Sequence, residues 1–333
     1  MHSTPVPGQR SQSLHARALW FPSAGQSALQ SEEIAPPAAG EVLVETLFSG
    51  ISRGTEALVF NGKVPESEAE RMRGPGMAGS FSFPVKYGYS TVGRVQAGPD
   101  VLVGKLVFSL HPHQDRFVLP GSMVTPLPED VPPERAVLAA NMETALNIVW
   151  DAGILPGDRV AIFGAGVVGS LVAHISSRIL GTDVLLIDRD PSRSALAAAL
   201  GIPFAPLPAL SGEFDVLVNA SGSPDALNSA IAHAGQEARI VEASWHGDRS
   251  ASLMLGGAFH ARRLSIISSQ VGAVPPQRRA RWNFARRMTK ALELLRHDRL
   301  DALISGETEF SALAEAYPAI LSDPQTLCHR IRY

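Results

Sequence analysis

The feature that most constrains this chain is Gly164-Ala165-Gly166-Val167-Val168-Gly169, which follows the apolar run Val160-Ala161-Ile162-Phe163 and opens a helical stretch. A lone Gly-x-Gly-x-x-Gly is a weak signal. Between a strand and a helix it specifies a βαβ unit that cradles a dinucleotide. Gly164 permits the tight turn, Gly166 lets the backbone approach a pyrophosphate, and Gly169 lets the helix pack closely on the strand. Val167 and Val168 begin a helix whose free N–H groups and positive dipole end face the anion. Nineteen residues after Gly169, Asp188 ends the run Val184–Ile187. A carboxylate there accepts from the ribose hydroxyls of adenosine and repels a 2′-phosphate, which favours NAD over NADP. Arg189 and Arg193 are near enough in sequence to reach a 2′-phosphate, so NADP stays open. The cradle lies mid-chain, away from the N-terminal position common in flavin enzymes, which disfavours FAD.

Strand candidates Arg159–Phe163, Asp183–Ile187, Phe214–Asn219, Ala238–Glu242 and Leu264–Ser268 alternate with helical stretches such as Val167–Ile179 and Ser192–Leu200. This alternation implies an α/β, doubly wound parallel sheet of the Rossmann type over residues 141–271. Upstream, Glu41–Leu47, Tyr87–Val95, Gly104–Leu110 and Arg116–Leu119 are short strands broken by Gly and Pro, which implies a compact β-rich barrel. A chain of 333 residues, 45% of them hydrophobic, suits two such domains. Residues 1–15, rich in Ser, Pro and Gln, are expected to be a disordered leader. Near the C-terminus, Ser311–Leu321 is expected to be a helix followed by a short strand. Pro275–His297 reads as a basic amphipathic helix whose arginines (278, 279, 281, 286 and 287) form a solvated face, with phosphate binding as the alternative.

A net charge of −3 without a basic excess argues against a nucleic-acid partner, and no run of eighteen apolar residues offers a membrane span. The single cysteine, Cys328, excludes a disulfide framework and every multi-cysteine zinc site, and fits a reducing, cytoplasmic setting.

The whole stretch from Ala16 resembles the medium-chain dehydrogenase/reductase superfamily. Ser49-Gly50-Ile51-Ser52-Arg53-Gly54-Thr55-Glu56 looks like the segment that usually reads Gly-Ile-Cys-Gly-Thr-Asp. Gly88-Tyr89-Ser90-Thr91-Val92-Gly93 stands where the family has Gly-His-Glu-x-x-Gly, and Asn141-Met142-Glu143-Thr144-Ala145 matches the approach to the cofactor domain. The wording around Ser52–Glu56, Lys86–Tyr89 and His111–Gln114 is closest to the branch that includes bacteriochlorophyllide a dehydrogenase. The resemblance implies a GroES-like β domain, residues 16–140 with 272–333, completing the chain. It also implies a homodimer joined through Leu264–Ser268, with a small molecule as substrate and no nucleic acid or membrane partner.

By position, the family's zinc ligands fall on Ser52, Tyr89 and near Ala140, and only Gln114-Asp115 stands where the structural zinc lobe would insert. No zinc is expected at either site. The resemblance leaves Tyr89, His111, Thr55 and Ser52 as the groups available to stabilise or protonate an alkoxide, with Lys86 as an outlying choice. It also places Arg53 at the pyrophosphate and Thr144 near the nicotinamide. Ser221 and Gly222 lie where ligands of open α/β sheets bind, and Glu242–Ser244 and Ser268–Gln270, with Ser244 and Ser269, end later strands facing the same crevice. His111-Pro112-His113 with Glu143 admits a competing metal reading. The expected activity is zinc-independent NAD(P)-dependent interconversion of an alcohol and a carbonyl on a hydrophobic or bulky substrate. The alternatives are an NADPH-dependent enone or quinone reductase, and a non-catalytic sensor of the nicotinamide cofactor.

Overall fold

The computed structural model describes residues 13–333. The chain opens with a hairpin of β1 (Leu14–Phe21) and β2 (Ala28–Ile34), then β3 (Glu41–Ser52), which runs straight into α1 (Arg53–Phe60). Short strands follow: β4 (Ala78–Gly79), β5 (Val85–Lys86), β6 (Thr91–Ala97), β7 (Leu106–Ser109), β8 (Arg116–Pro120) and β9 (Thr125–Pro126). Two helices, α2 (Pro133–Ala136) and α3 (Ala139–Ala152), lead into the alternating region. That region comprises β10 (Arg159–Phe163), α4 (Val167–Ser176), β11 (Asp183–Asp188), α5 (Ser194–Leu200), β12 (Phe204–Pro206), β13 (Phe214–Asn219), α6 (Pro224–His233), β14 (Ala234–Glu242) and β15 (Ser265–Ser268). The return consists of α7 (Phe284–Leu294), β16 (Ile304–Glu309), α8 (Leu313–Ser322) and β17 (Cys328–Arg332).

The alternating region forms a six-stranded parallel sheet in the order β12-β11-β10-β13-β14-β15. The strand order reverses direction across β10, the switch point at which open α/β sheets bind ligands. Val160, Ala161, Ile162 and Phe163 are all buried, as a parallel strand covered by helices on both faces requires. The β-rich part is a seven-stranded arrangement, β16-β17-β3-β6-β7-β9 with β8 also on β3, antiparallel except for the β16–β17 pair, beside a four-stranded antiparallel sheet β2-β1-β5-β4. The C-terminal return therefore joins the β-rich half, with Cys328 opposite Ser52 in the β17–β3 register. Helix α3 is buried along most of its length, from Ala139 to Ala152, and its residues share a core with both halves. Gly153, left-handed at φ +63°, ends it.

The main elements lie where the sequence places them, but three differences have physical causes. The hairpin β1–β2 carries no clean alternation because β2, at the sheet edge, is exposed along much of its length. Pro275–His297 is not one helix: turns occupy residues 275–283, and α7 starts at Phe284, where the Asn283 side chain accepts from the Arg286 N–H at 2.8 Å. Of the expected leader, residues 1–12 lie outside the described residues, while Leu14 and His15 already pair with Ile34 and Glu33. Among the described residues no helix is long and apolar enough to cross a membrane.

Candidate functional site

The glycine cradle is dictated by close contacts. Gly164 holds φ +104°, and a Cβ on it would lie 2.9 Å from backbone atoms of Ala220 and Ser221. A Cβ on Gly169 would lie 1.9 Å from the Gly164 carbonyl oxygen. Gly166, by contrast, faces open space with no atom within 4 Å of such a Cβ. Val167 and Val168 form the first turn of α4, and no side chain caps it, so its N–H groups are free to meet an anion. These features fit a dinucleotide pyrophosphate.

Asp188 braces this loop. One carboxylate oxygen accepts from the Ala165 N–H at 2.7 Å and the other from the Asp190 N–H at 2.9 Å. Each oxygen keeps a lone pair that a ribose hydroxyl can use. Arg189 is exposed, whereas Arg193 is nearly buried and donates to the Pro324 carbonyl at 2.6 Å. Arg53 reaches the neighbouring Asp323 carbonyl at 3.4 Å. Burial first, and the nearby Arg193 second, pull the Arg53 guanidinium below the usual arginine range. Arg53 and Arg193 thus lie close enough to feel each other's charge, each resting on a neighbouring backbone carbonyl.

The later strand ends form one hydrogen-bonded rim. Asn219 donates to Glu242 at 2.6 Å and accepts from the Ser221 hydroxyl at 2.6 Å. Ser244 accepts from the Gly222 N–H at 2.8 Å, and its own N–H reaches Glu242 at 2.8 Å. Ser269 turns the other way, donating its hydroxyl to Asp151 at 2.7 Å. Its N–H is engaged as well, donating to the Glu242 carbonyl at 3.0 Å. Thr144 gives its hydroxyl to the Ala140 carbonyl one turn back, at 3.0 Å.

A second constellation forms where β3 meets α1. Ser52 occupies the N-cap position, but its hydroxyl does not cap the helix. Glu56 accepts from the Ser52 N–H at 2.8 Å, and the Ser52 hydroxyl accepts from the Asn141 amide at 3.0 Å. The Tyr89 hydroxyl lies near the Ser52 and Thr55 side chains, without a direct hydrogen bond to either. Tyr89, Ser52 and Thr55 therefore converge, with Asn141 of α3 joining them. Burial above all, and then the Glu56 charge, raises the Tyr89 phenol well above its ordinary value, so it is a neutral donor. Glu56 is fully buried and also accepts from His113 at 3.0 Å and Tyr317 at 2.5 Å. Asn141 and Glu56 were not singled out from sequence, although both lie inside motifs that were. Their neighbours across the fold are what mark them.

His111 has another place. Its ring stacks on Phe117 with centroids 3.7 Å apart, and its Nδ1 donates to the Pro112 carbonyl at 3.1 Å. Burial pushes its pKa down to about 3, so it carries no imidazolium proton at neutral pH. The metal reading of His111, His113 and Glu143 does not survive: His113 binds Ser49 and Glu56, and Glu143 binds Arg287. Among the described residues no three His, Cys, Asp or Glu side chains are grouped to hold a metal. Lys86 is engaged by Glu32 and Gln114. Arg287 corrects the solvated-face reading. It is 2% exposed and bonds Glu143 at 3.0 Å, Asn147 at 2.5 Å and the Val271 carbonyl at 2.5 Å. The other four arginines do face outward.

No family model matches the chain. It is 25% identical over 308 residues to the 2-desacetyl-2-hydroxyethyl bacteriochlorophyllide A dehydrogenase of Rhodobacter capsulatus, covering 87% of this chain and 90% of that relative. An Escherichia coli CFT073 protein described as a short chain alcohol dehydrogenase, solved with NADH, superposes with a TM-score of 0.77 at 18% identity, over 96% of this chain and 99% of that one. L-idonate 5-dehydrogenase from Escherichia coli K-12 superposes with a TM-score of 0.78 at 16% identity, over 97% and 99%. The fold is that of the medium-chain dehydrogenases, a Rossmann sheet with a GroES-like antiparallel domain, and most of the relatives carry dehydrogenase or reductase names.

Proposed function

We propose that this protein is an NAD(P)-dependent oxidoreductase, with NAD preferred, that interconverts an alcohol and a carbonyl without zinc. The observation that carries the proposal is that hydroxyls, Ser52 and Tyr89 with Thr55 beside them, stand where the resemblance would have placed metal ligands, and that the Ser52 hydroxyl is already held by the Asn141 amide. A phenol, two aliphatic hydroxyls and the Asn141 amide are poor partners for zinc, which takes thiolate, imidazole and carboxylate. They are good partners for a carbonyl oxygen. When bound, a nicotinamide cofactor supplies or accepts the hydride at the substrate carbon. Tyr89 donates a hydrogen bond to the substrate oxygen and gives its proton to the alkoxide as charge develops there. Ser52 and Thr55 stand beside the phenolate left behind. Arg53, the Gly164–Gly169 loop and Asp188 hold the cofactor, and Ser221 and Ser244 shape the rim of its crevice.

A second reading is an enone or quinone reductase. The same neutral donor favours it, because polarising a conjugated carbonyl needs no metal. In either reading a homodimer would form through β15, one of the two edges of the parallel sheet.

The test is titration of the purified chain with NADH and NADPH, followed by assays on ketones, secondary alcohols, enals and quinones with and without a chelator. Chelator-insensitive turnover of ketones supports the proposal. Turnover on quinones or enals alone selects the second reading. Failure to bind either cofactor at millimolar concentration refutes both, and loss of activity on chelation with recovery on zinc refutes the metal-free chemistry.

A further inference from the structure

The segment Pro275–Arg286 carries Arg278, Arg279, Arg281 and Arg286 with no carboxylate partner among the described residues, in a chain whose net charge is −3. These charges are not spread at random. Arg278 lies over the Trp150 ring at 5.5 Å, Trp150 packs on Trp282 at 4.8 Å, and Arg286 lies over Trp282 at 4.1 Å. The Arg286 guanidinium also donates to the Arg281 carbonyl, which ties a third arginine to the ladder. Beside it Phe284, the first residue of α7, is 56% exposed. The patch is anchored from behind by the buried Arg287–Glu143 pair. The result is a rigid surface of guanidiniums and aromatic rings with an exposed apolar side chain among them.

We infer that this surface docks the protein on an anionic lipid bilayer. Interfacial binding calls for arginines that meet acidic headgroups beside an exposed aromatic side chain that enters the headgroup boundary. Exposed Arg279, Arg281 and Phe284 supply both on one short segment. Single-stranded nucleic acid fits less well, because it is held by aromatic faces open for base stacking. Here the Trp150 and Trp282 rings pack on each other and carry Arg278 and Arg286. The inference does not depend on the reaction assigned above, since the patch shares no residue with the hydroxyl trio or the glycine cradle.

The experiment is co-sedimentation of the full chain with vesicles of phosphatidylcholine alone and of phosphatidylcholine containing about one-third phosphatidylglycerol. Binding to the acidic vesicles only, weakened by high salt, is expected. Each basic residue near such a surface contributes about fivefold to partitioning, so Arg279→Ala with Arg281→Ala together should lower it roughly 25-fold. Phe284→Ser should lower binding while leaving its salt dependence intact. Thermal melting and NADH titration of each variant report folding independently of lipid. Absence of wild-type sedimentation, equal binding to neutral vesicles, full binding by the double variant, or tighter capture of a single-stranded oligonucleotide than of acidic vesicles would overturn the inference.

Discussion

Replacing Arg287 by Ala would expose how much of the structure depends on a buried charge pair. The Arg287 and Glu143 side chains are 2% and 7% exposed, and the guanidinium also satisfies Asn147 and the Val271 carbonyl. Removing one member of such a pair strands the other in a low-dielectric interior, at a cost of about 3–5 kcal/mol. The sign of the pH dependence follows from Glu143. Burial already raises its folded-state pKa, and Arg287 is the main opposing influence. Without Arg287 the pKa rises further, the folded state holds a proton that the unfolded state has released, and stability falls as pH rises above the ordinary carboxylate value. Urea unfolding of Arg287→Ala should therefore show a larger loss at pH 8 than at pH 5.5. Glu143→Gln combined with Arg287→Met removes both charges and should recover roughly 2–3 kcal/mol of that loss. A single-variant cost below about 1 kcal/mol, independent of pH and additive with Glu143→Gln, would refute the account.

Three further outcomes follow from the geometry. Tyr89→Phe should lower kcat by about 10²–10³ with cofactor affinity unchanged, because it removes one donor to the developing oxyanion; steady-state kinetics with NADH titration separates the two effects. Gly169→Ala places a Cβ 1.9 Å from the Gly164 carbonyl oxygen, so the cradle must shift, and fluorescence titration should show NADH binding lost while far-UV dichroism keeps the helical signal. His111, held neutral with its pKa pushed down to about 3, favours the folded state above the usual histidine pKa and loses that contribution as pH falls from there toward 3. An NMR titration should show its ring unprotonated through pH 5, and a midpoint near 6.5 would contradict the packing on Phe117.

What the sequence by itself determined is the parallel half and its cradle. Strand, glycine turn and helix are local in the chain, and period, turn chemistry and the position of Asp188 are all read within thirty residues. The antiparallel half was legible as β-rich but not in its pairing. Strand β3 takes its neighbours from β6, β8 and β17, and the last of these is supplied by the far end of the chain. No local pattern encodes such partners. The site divides in the same way. Ser52, Thr55 and Tyr89 stood out by position, yet only folding brings the three side chains near one another and sets the Asn141 amide on the Ser52 hydroxyl. Glu56 holds the Ser52 N–H while the Asn141 amide, from a distant helix, holds the Ser52 hydroxyl, contacts set by side-chain geometry rather than by spacing. The charge run at 278–287 is the clearest case. Sequence reads five equivalent arginines, whereas the fold buries Arg287 against Glu143 and leaves the other four facing outward. Burial is a property of what packs on a residue from distant segments, and it decides whether the same side chain is solvated or holds the core together.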